Sequence, residues 1–493
     1  MLIRHSLLYI TAKIVPGMLG MVTTAILTRL LDPAHYGFYG LALVVMTFGS
    51  TMAFDWLGIS FMRFYQSRRD DPRVITTFVM MFLALVALTA ALVLVGWAAG
   101  IFTGSVASVY AIGVVMMWTY SWFELVARFE VANFRPTRYL IMNLGRALFS
   151  LVGAAGAAWL TRDPIWTAAG MACGTVAGAL LCGFRAWRFS ISGFDRSLAL
   201  AVLAFGLPMA ASMTMSSLIN SGTRGMIEIL GSPEALGFYT AAFMLIQNTL
   251  VVAAAGIASA GYSLAVRAVE TGDPAIARTQ LLANSTVLLA VLAPAALGMA
   301  LTAHGLAATL VGPKYVGSVA ELTPWVSCGA FFFSFRANYL DHAFQLGKRP
   351  SLQIWVTALA AVIAVGLCWV LIPRDGPLGA AIAIAIAMAV SCAHAWIAGR
   401  YAYRLPFPLV ETMRIFAACA AMAIIVLLIP GSSPAAFLLQ AGFGGAAYAG
   451  VAIGLDLLGS RDRVQALLRR ATRRPMAKPV LQATPNRPAS KRG

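Results

Sequence analysis

Residues 30–42 read LLDPAHYGFYGLA, and residues 230–242 read LGSPEALGFYTAA. Leu30, Pro33, Gly37, Phe38, Tyr39 and Ala42 recur as Leu230, Pro233, Gly237, Phe238, Tyr239 and Ala242, each 200 positions on and without a gap. Both copies carry a helix-start signal. Asp32 or Ser232 stands at the capping position, and Pro33 or Pro233 follows at the first helical residue, where its missing N–H costs nothing. The common offset and the shared order of cap, Pro, Gly, Phe and Tyr identify an internal duplication. The Pro and Gly residues read as backbone geometry at a helix-to-helix turn, with Tyr39 and Tyr239 near a membrane interface.

Composition sets the class. The chain has 493 residues, of which 60% are hydrophobic and 11% charged, and its mean hydropathy is +0.81. A soluble domain carries about 25% charged residues, so too little polar surface exists to cover a water-facing body. The expected fold is an all-α polytopic membrane protein. The six cysteines (Cys173, Cys182, Cys328, Cys368, Cys392 and Cys419) lie in apolar runs with no CxxC or Cys/His spacing. They read as small buried hydrophobes; no disulfide framework, metal site or cofactor is expected. The N-terminal MLIRHSLLYITAKIV reads as a retained first span, because no small-residue cleavage site follows its apolar run.

A helix needs ~20 apolar residues to cross ~30 Å of hydrocarbon. That criterion gives about fourteen spans, from 8–30 to 435–458. Loops after even-numbered spans hold the arginines: Arg63, Arg68, Arg69 and Arg73, then Arg128, Arg135 and Arg138, and so on to Arg400 and Arg404. Odd-numbered loops offer little beyond Arg162, Lys314 and Arg374. By the positive-inside rule both termini are cytoplasmic and both repeat copies lie outside. Six spans separate the copies, so the repeat is parallel: two six-helix lobes related by an axis along the membrane normal. The expected division is residues 1–198 for the N-lobe, 199–405 for the C-lobe, 406–459 for two further spans, and 460–493 for a basic cytoplasmic tail. Half of the formal net charge of +18 resides in that tail, which holds ten Lys and Arg residues against Asp462 alone. Residues 460–474 are expected to lie on anionic membrane lipids, an arrangement that accounts for their charge without nucleic acid.

The motifs of soluble catalysis are missing: the sequence contains no P-loop and no HExxH, and no loop is long enough for a catalytic domain. Charges inside the spans are the informative residues, since each costs ~2.5–3.5 kcal/mol at the bilayer centre and usually faces a cavity or a partner. Lys13, Arg146, Arg224 and Arg336 are the candidate substrate-binding residues. Asp55 is the candidate ion-coupling (protonation) site. Arg29 and Glu228 near the outer end, and Glu124, Asp341 and His342 near the inner end, read as snorkelling or structural groups. The excess of cations favours a negatively charged substrate.

The stretch TRLLDPAHYGFYGLA after span 1 resembles a hallmark of the polysaccharide transporter family (O-antigen and oligosaccharide flippases) of the multidrug/oligosaccharidyl-lipid/polysaccharide exporter superfamily. Its partner GLPMAASMTMSSLINSGTRGMIEILGSPEALGFYTAA and the segment LVGPKYVGSVAELTPWVSCGAFFF are similar to the same family. The resemblance covers about residues 1–460 in layout. Many relatives place an Asp before the span 7 arginine; here Ser221-Gly222-Thr223 precedes Arg224, so no ion-coupling acid carries over to that position. The resemblance implies two lobes around a central cavity with two extra C-terminal helices. It also implies transport, by alternating access, of an undecaprenyl-diphosphate-linked oligosaccharide or related polysaccharide across the bacterial inner membrane, with glycan polymerases and glycosyltransferases as partners. Two rivals stand beside this reading. A cation-coupled drug exporter of the same superfamily calls for acidic cavity residues. A membrane glycan polymerase or ligase calls for a large outer loop.

Overall fold

A computed structural model describes residues 2–69, 71–100, 104–183, 193–270 and 273–459. The side chain of Lys13 and the tail 460–493 lie outside the described residues. The described residues form a helical bundle: α1 (Leu2–Leu30), α2 (Pro33–Ala53), α3 (Asp55–Tyr65), α4 (Pro72–Ala98), α5 (Gly104–Ala132), α6 (Pro136–Thr161) and α7 (Pro164–Gly183). There follow α8 (Arg196–Leu230), α9 (Pro233–Ile246), α10 (Val252–Glu270), α11 (Pro274–Leu301), α12 (Ala303–Leu310) and α13 (Val316–Phe335). Last come α14 (His342–Leu346), α15 (Pro350–Gly399), α16 (Leu409–Leu428) and α17 (Pro434–Gly454).

Twelve of the described helical stretches are long and apolar enough to cross a membrane. They differ from the fourteen read from sequence at two places. Ile14–Leu30 is the shorter apolar part of α1, and Ser351–Gly399 counts once. At 50 residues, α15 would run to about 75 Å if straight, over twice the hydrocarbon thickness. It is bent at Gly376, whose φ of 58° and ψ of −134° suit glycine. Beyond the bend the chain returns: Gly379 packs against the Leu371 backbone, and Ala360 and Ala364 share a cluster with Ile384 and Met388.

The repeat is written in backbone detail at three corners. Asp32 accepts from the His35 amide at 2.9 Å, and Ser232 accepts from the Ala235 amide at 3.1 Å. Asp71 and Asp273 cap α4 and α11, each followed by Pro at the first helical residue. Phe134 and Lys348 take left-handed φ values of 55° and 53°, and after each an Arg-Pro pair starts the next helix. At both, the arginine amide bonds five residues back, Arg135 to Glu130 at 3.0 Å and Arg349 to Phe344 at 2.9 Å. This closes the preceding helix in the same way in each half.

The two copies of the quoted motif do more than turn the chain. Gly37 and Gly237 lie within α2 and α9, and the helices cross at these two residues. A Cβ on Gly37 would fall 1.9 Å from the Pro233 carbonyl oxygen, and one on Gly237 would fall 2.0 Å from that of Pro33. Only hydrogen fits, as in small-residue helix contacts within membranes. Tyr39 and Tyr239, expected near an interface, are each 3% exposed. Tyr315 wedges in beside the crossing, edge-on to Tyr36 and Phe238, and its hydroxyl donates to the Leu31 carbonyl at 3.1 Å. Arg29, expected to snorkel, donates at 2.9 Å to the Thr309 carbonyl at the end of α12. The lobes are thus sealed against each other at the end of the bundle that carries the repeat, called the repeat end below. The opposite, arginine-rich end is called the basic end.

α8 ties the halves together at the basic end. Its first turns, Leu198, Ala199 and Val202, share a core with Trp56, Phe61 and Phe78 of the N-lobe, and Gly206 packs against the Trp56 ring. Its later part packs with α15. Arg68 meets Asp195, the cap of α8, at 3.3 Å.

Candidate substrate cavity

A cavity of about 340 Å³ opens between the lobes behind the glycine crossing. Pro16, Gly20, Thr23, Thr24 and Leu27 recur at helical spacing along α1 and form one wall. Tyr36, Tyr39, Met46 and Thr47 of α2 form another. Gln247 and Asn248 close the cavity from the C-lobe. They belong to a π-helical segment, Gln247–Val251, that joins α9 to α10. Such widened turns recur at functional sites. Here the turn packs against α1, where a Cβ at Gly17 or Gly20 would fall 2.9 Å or 2.7 Å from Asn248.

Among the described residues, Arg146 is the one ionisable cation lining this cavity, and no carboxylate lines it. Its position is set by the α6–α7 hairpin. Gly153 and Gly170 meet backbone to backbone, Gly174 meets Phe149 and Ser150, and Gly178 lies against the Arg146 backbone itself. Ser150 and Thr175 add a hydroxyl contact at 3.2 Å between the same helices. The helix carrying the guanidinium is therefore pinned along its length. The guanidinium lies over two rings of α5, with Cζ 5.0 Å from the Phe123 centroid and 5.8 Å from that of Tyr120. Among the described residues, its Nε has no hydrogen-bond partner and the side chain forms no ion pair. A charge at bilayer depth costs ~2.5–3.5 kcal/mol, while a ring face returns ~0.5–2 kcal/mol. The difference, with an unused donor, is what an anion in the cavity would meet.

The other residues read from sequence stand elsewhere. Arg224 is 3% exposed, with Cζ 4.8 Å over the Phe243 ring and with Tyr36 and Tyr239 close enough to interact electrostatically, so it stands behind the cavity wall. Arg336 is also 3% exposed. It lies in a second π-helical segment, Arg336–Leu340, donates to Ser391 Oγ at 2.6 Å and faces Asp341 at 3.9 Å. Asp341 in turn accepts from Gln353 at 3.2 Å. Asp55 occupies the break between α2 and α3, where Thr51 donates to it at 3.1 Å and Arg128 donates to its backbone oxygen at 3.3 Å. Its surroundings form a small N-lobe pocket of about 10 Å³ with Ser121 and Glu124, separate from the Arg146 cavity. Only Arg146, of these, lines the central space; for Lys13 only the helix position, one turn before Pro16, is described.

Three groups of residues were not singled out from sequence. Tyr120 and Phe123 belong to the aromatic run WTYSWF at 118–123, which could have been matched to a buried arginine needing ring faces. Gln247 and Asn248 carry no sequence signal for a π-helical turn. A second interlobe cavity of about 520 Å³ lies toward the basic end, between Thr51 of the N-lobe and Met209, Met213 and Met215 of α8.

Comparison with known proteins follows this geometry. A family model described as polysaccharide biosynthesis protein matches residues 2–262. A comparison with curated proteins finds no match. Among solved structures, the chain is similar to the lipid II flippase MurJ in an inward closed conformation, with a TM-score of 0.73 and 13% identity over 92% of this chain and 98% of that one. It is also similar to a eukaryotic MATE transporter (TM-score 0.52, 13% identity, 84% of this chain and 96% of that one). An inward-facing multidrug resistance MATE family transporter gives a TM-score of 0.50 at 15% identity, over 84% and 95% of the two chains. At these identities the likeness is one of fold.

Proposed function

The chain belongs to the polysaccharide biosynthesis protein family, and from that premise we propose that it moves a lipid-linked oligosaccharide, carried on undecaprenyl diphosphate, or a related polysaccharide across the bacterial inner membrane. The observation that carries this reading is Arg146: a cation held on ring faces, with an unused donor, in an interlobe cavity that no carboxylate among the described residues lines. Arg146 binds the diphosphate or an acidic sugar through charge-assisted hydrogen bonds. Threonine hydroxyls and the Gln247 and Asn248 amides of the opposite wall contact neutral sugar groups. Arg224, behind the wall, adds to the positive potential without touching the substrate.

The cycle is alternating access. With both termini cytoplasmic, the glycine crossing of α2 and α9 closes the outer side, and the conformation described is the one that loads from within. Parting of Gly37 from Gly237, with closure about α8 at the basic end, delivers the substrate outward. A cation-coupled drug exporter would present a carboxylate to its cargo; Asp55 instead sits in its own small pocket, held by Thr51.

The test is to deplete the protein and follow the sidedness of labelled lipid-linked glycan. Accumulation in the inner leaflet, reversed by wild type but not by Arg146→Gln, is expected. Unchanged arrival at the outer leaflet would refute the proposal.

A further inference from the structure

A cavity of about 370 Å³ lies at the basic end, remote from the interlobe space. It is enclosed by Leu340 at the end of the second π-helical segment, by Trp396 and Gly399 of α15, and by Arg400, Tyr403 and Arg404 of the link to α16. Arg400 stacks on the Trp396 ring at 5.5 Å, which fixes the guanidinium at the rim. Trp396 is fixed in turn by an edge contact with Phe407 at 5.5 Å. Among the described residues, no carboxylate lines the cavity. The acids nearest in sequence are already engaged, Asp341 with Arg336 and Gln353, and Glu411 with Arg414 at 2.9 Å. Arg400 and Arg404 therefore present two uncompensated positive charges beside a phenol and an indole.

The surroundings say which anion. Tyr401, which follows Arg400 of the cavity lining, is 73% exposed, and Leu409, Val410 and Met413, just beyond the link, are 59%, 63% and 64% exposed. Leu409, Val410 and Met413 lie on neighbouring helical positions in the first turns of α16, an apolar membrane-length helix. Arginine and aromatic side chains at the rim with apolar side chains below is the arrangement that receives a lipid headgroup and its chains. The geometry points to a binding site for the phosphate of an anionic bilayer lipid, gripped by Arg400 and Arg404 with its acyl chains along α16. The wall behind it is the buried Arg336 network, since Tyr339 of the same π-helical segment donates its hydroxyl to the Pro406 carbonyl in the link. An occupied site thus braces the link that joins the C-lobe to the last two helices.

Free phosphate shares the chemistry, and the experiment separates the two sources. The purified full-length chain is titrated in detergent with phosphatidylglycerol, with phosphatidylcholine of the same chain length, and with inorganic phosphate, and retained adducts are measured by native mass spectrometry. Phosphatidylglycerol is expected to be retained, and the Arg400→Gln/Arg404→Gln variant is expected to weaken it roughly thirtyfold, with phosphatidylcholine unaffected. Arg73→Gln/Arg278→Gln, two exposed charges at the same end but outside the cavity, is expected to change retention little. The basic tail is present in every variant, so the difference isolates the cavity. An unchanged melting temperature shows that the double variant is folded; Arg404→Gln alone, with an intermediate loss, serves if it is not. Equal retention in wild type and variant, equal loss in the control pair, or displacement of the lipid by millimolar inorganic phosphate would each overturn the site.

Discussion

Gly37 and Gly237 meet each other across the axis that relates the two lobes, each so close that a methyl group on it would overlap the carbonyl of the other copy's proline. The contact is reciprocal, as a duplicated element must be when it packs on its own copy. Backbone carbonyls cannot swing aside as a flexible side chain can, so a Cβ here is relieved only by moving α2 away from α9.

Gly37→Ala is therefore expected to loosen the repeat end. In a background without native cysteines, Thr240→Cys, buried against Gly40, should react about tenfold faster with an impermeant thiol reagent applied from the repeat side when Gly37→Ala is added. Equal rates would show that the glycine crossing is not the seal.

Arg146→Gln separates binding from stability. The guanidinium costs the fold more than its ring contacts return, so its loss should leave the melting temperature unchanged or raised. Glycan transport should fall by about tenfold to a hundredfold, and Arg146→Lys should restore part of it. A variant that melts early and transports in proportion to its folded fraction would make Arg146 structural.

Arg336 should behave in the opposite way. Arg336→Ala leaves Asp341 buried without its partner, a loss of about 3–5 kcal/mol. Arg336→Leu with Asp341→Leu should recover most of that stability. Chemical or thermal unfolding in detergent reads the difference; a fully stable single variant would contradict the buried pair.

Asp195 gives a pH signature at the basic end. Hydrogen bonds from the Ser197 hydroxyl and the Leu198 amide, helped by Arg68, hold its carboxylate below the usual range. A depressed carboxylate stabilises the fold above its unfolded value and loses that contribution as pH falls through its folded value. Asp195→Ala should be less stable than wild type at neutral pH, with the gap closing in acid. A gap that is constant with pH would mean that the charge is not what caps α8.

The fold was largely legible because its strongest determinants are local and repeated. Composition, apolar run length and the cap-Pro-Gly pattern around residues 33 and 233 needed no tertiary information. The role of its glycines was misread for a physical reason: a glycine in a turn and a glycine in a helix crossing look alike in sequence, and only the partner backbone distinguishes them. The α2–α3 break at Phe54 and the two π-helical turns escaped because each is set by packing, whereas the turn at Gly376 falls in the odd-numbered loop of Arg374 that the sequence reading placed there. The left-handed corners at Phe134 and Lys348 match in backbone while sharing little side-chain identity, so a residue-by-residue comparison passed over them. In the cavity, the arginines were visible as anomalies of charge, but their roles depend on neighbours distant in the chain. Arg146 has Tyr120 and Phe123 beside it and, among the described residues, no acid paired with it; Arg336 has Ser391 and Asp341.

That no carboxylate among the described residues pairs with Arg146 or lines its cavity reaches beyond recognition. An unpaired positive charge carried in a cavity that faces alternate sides is a charge on which the membrane potential acts, worth ~2.3 kcal/mol per full charge for each 100 mV crossed. In the proposed cycle the empty carrier turns over with that charge exposed, and the carrier loaded with a diphosphate turns over with the sign reversed. In the proposed cycle the voltage across the bilayer therefore drives the outward and return strokes unequally. A potential that is negative inside favours outward movement of the anionic load and inward return of the empty, cationic cavity, so an electrical gradient alone supplies direction to the cycle.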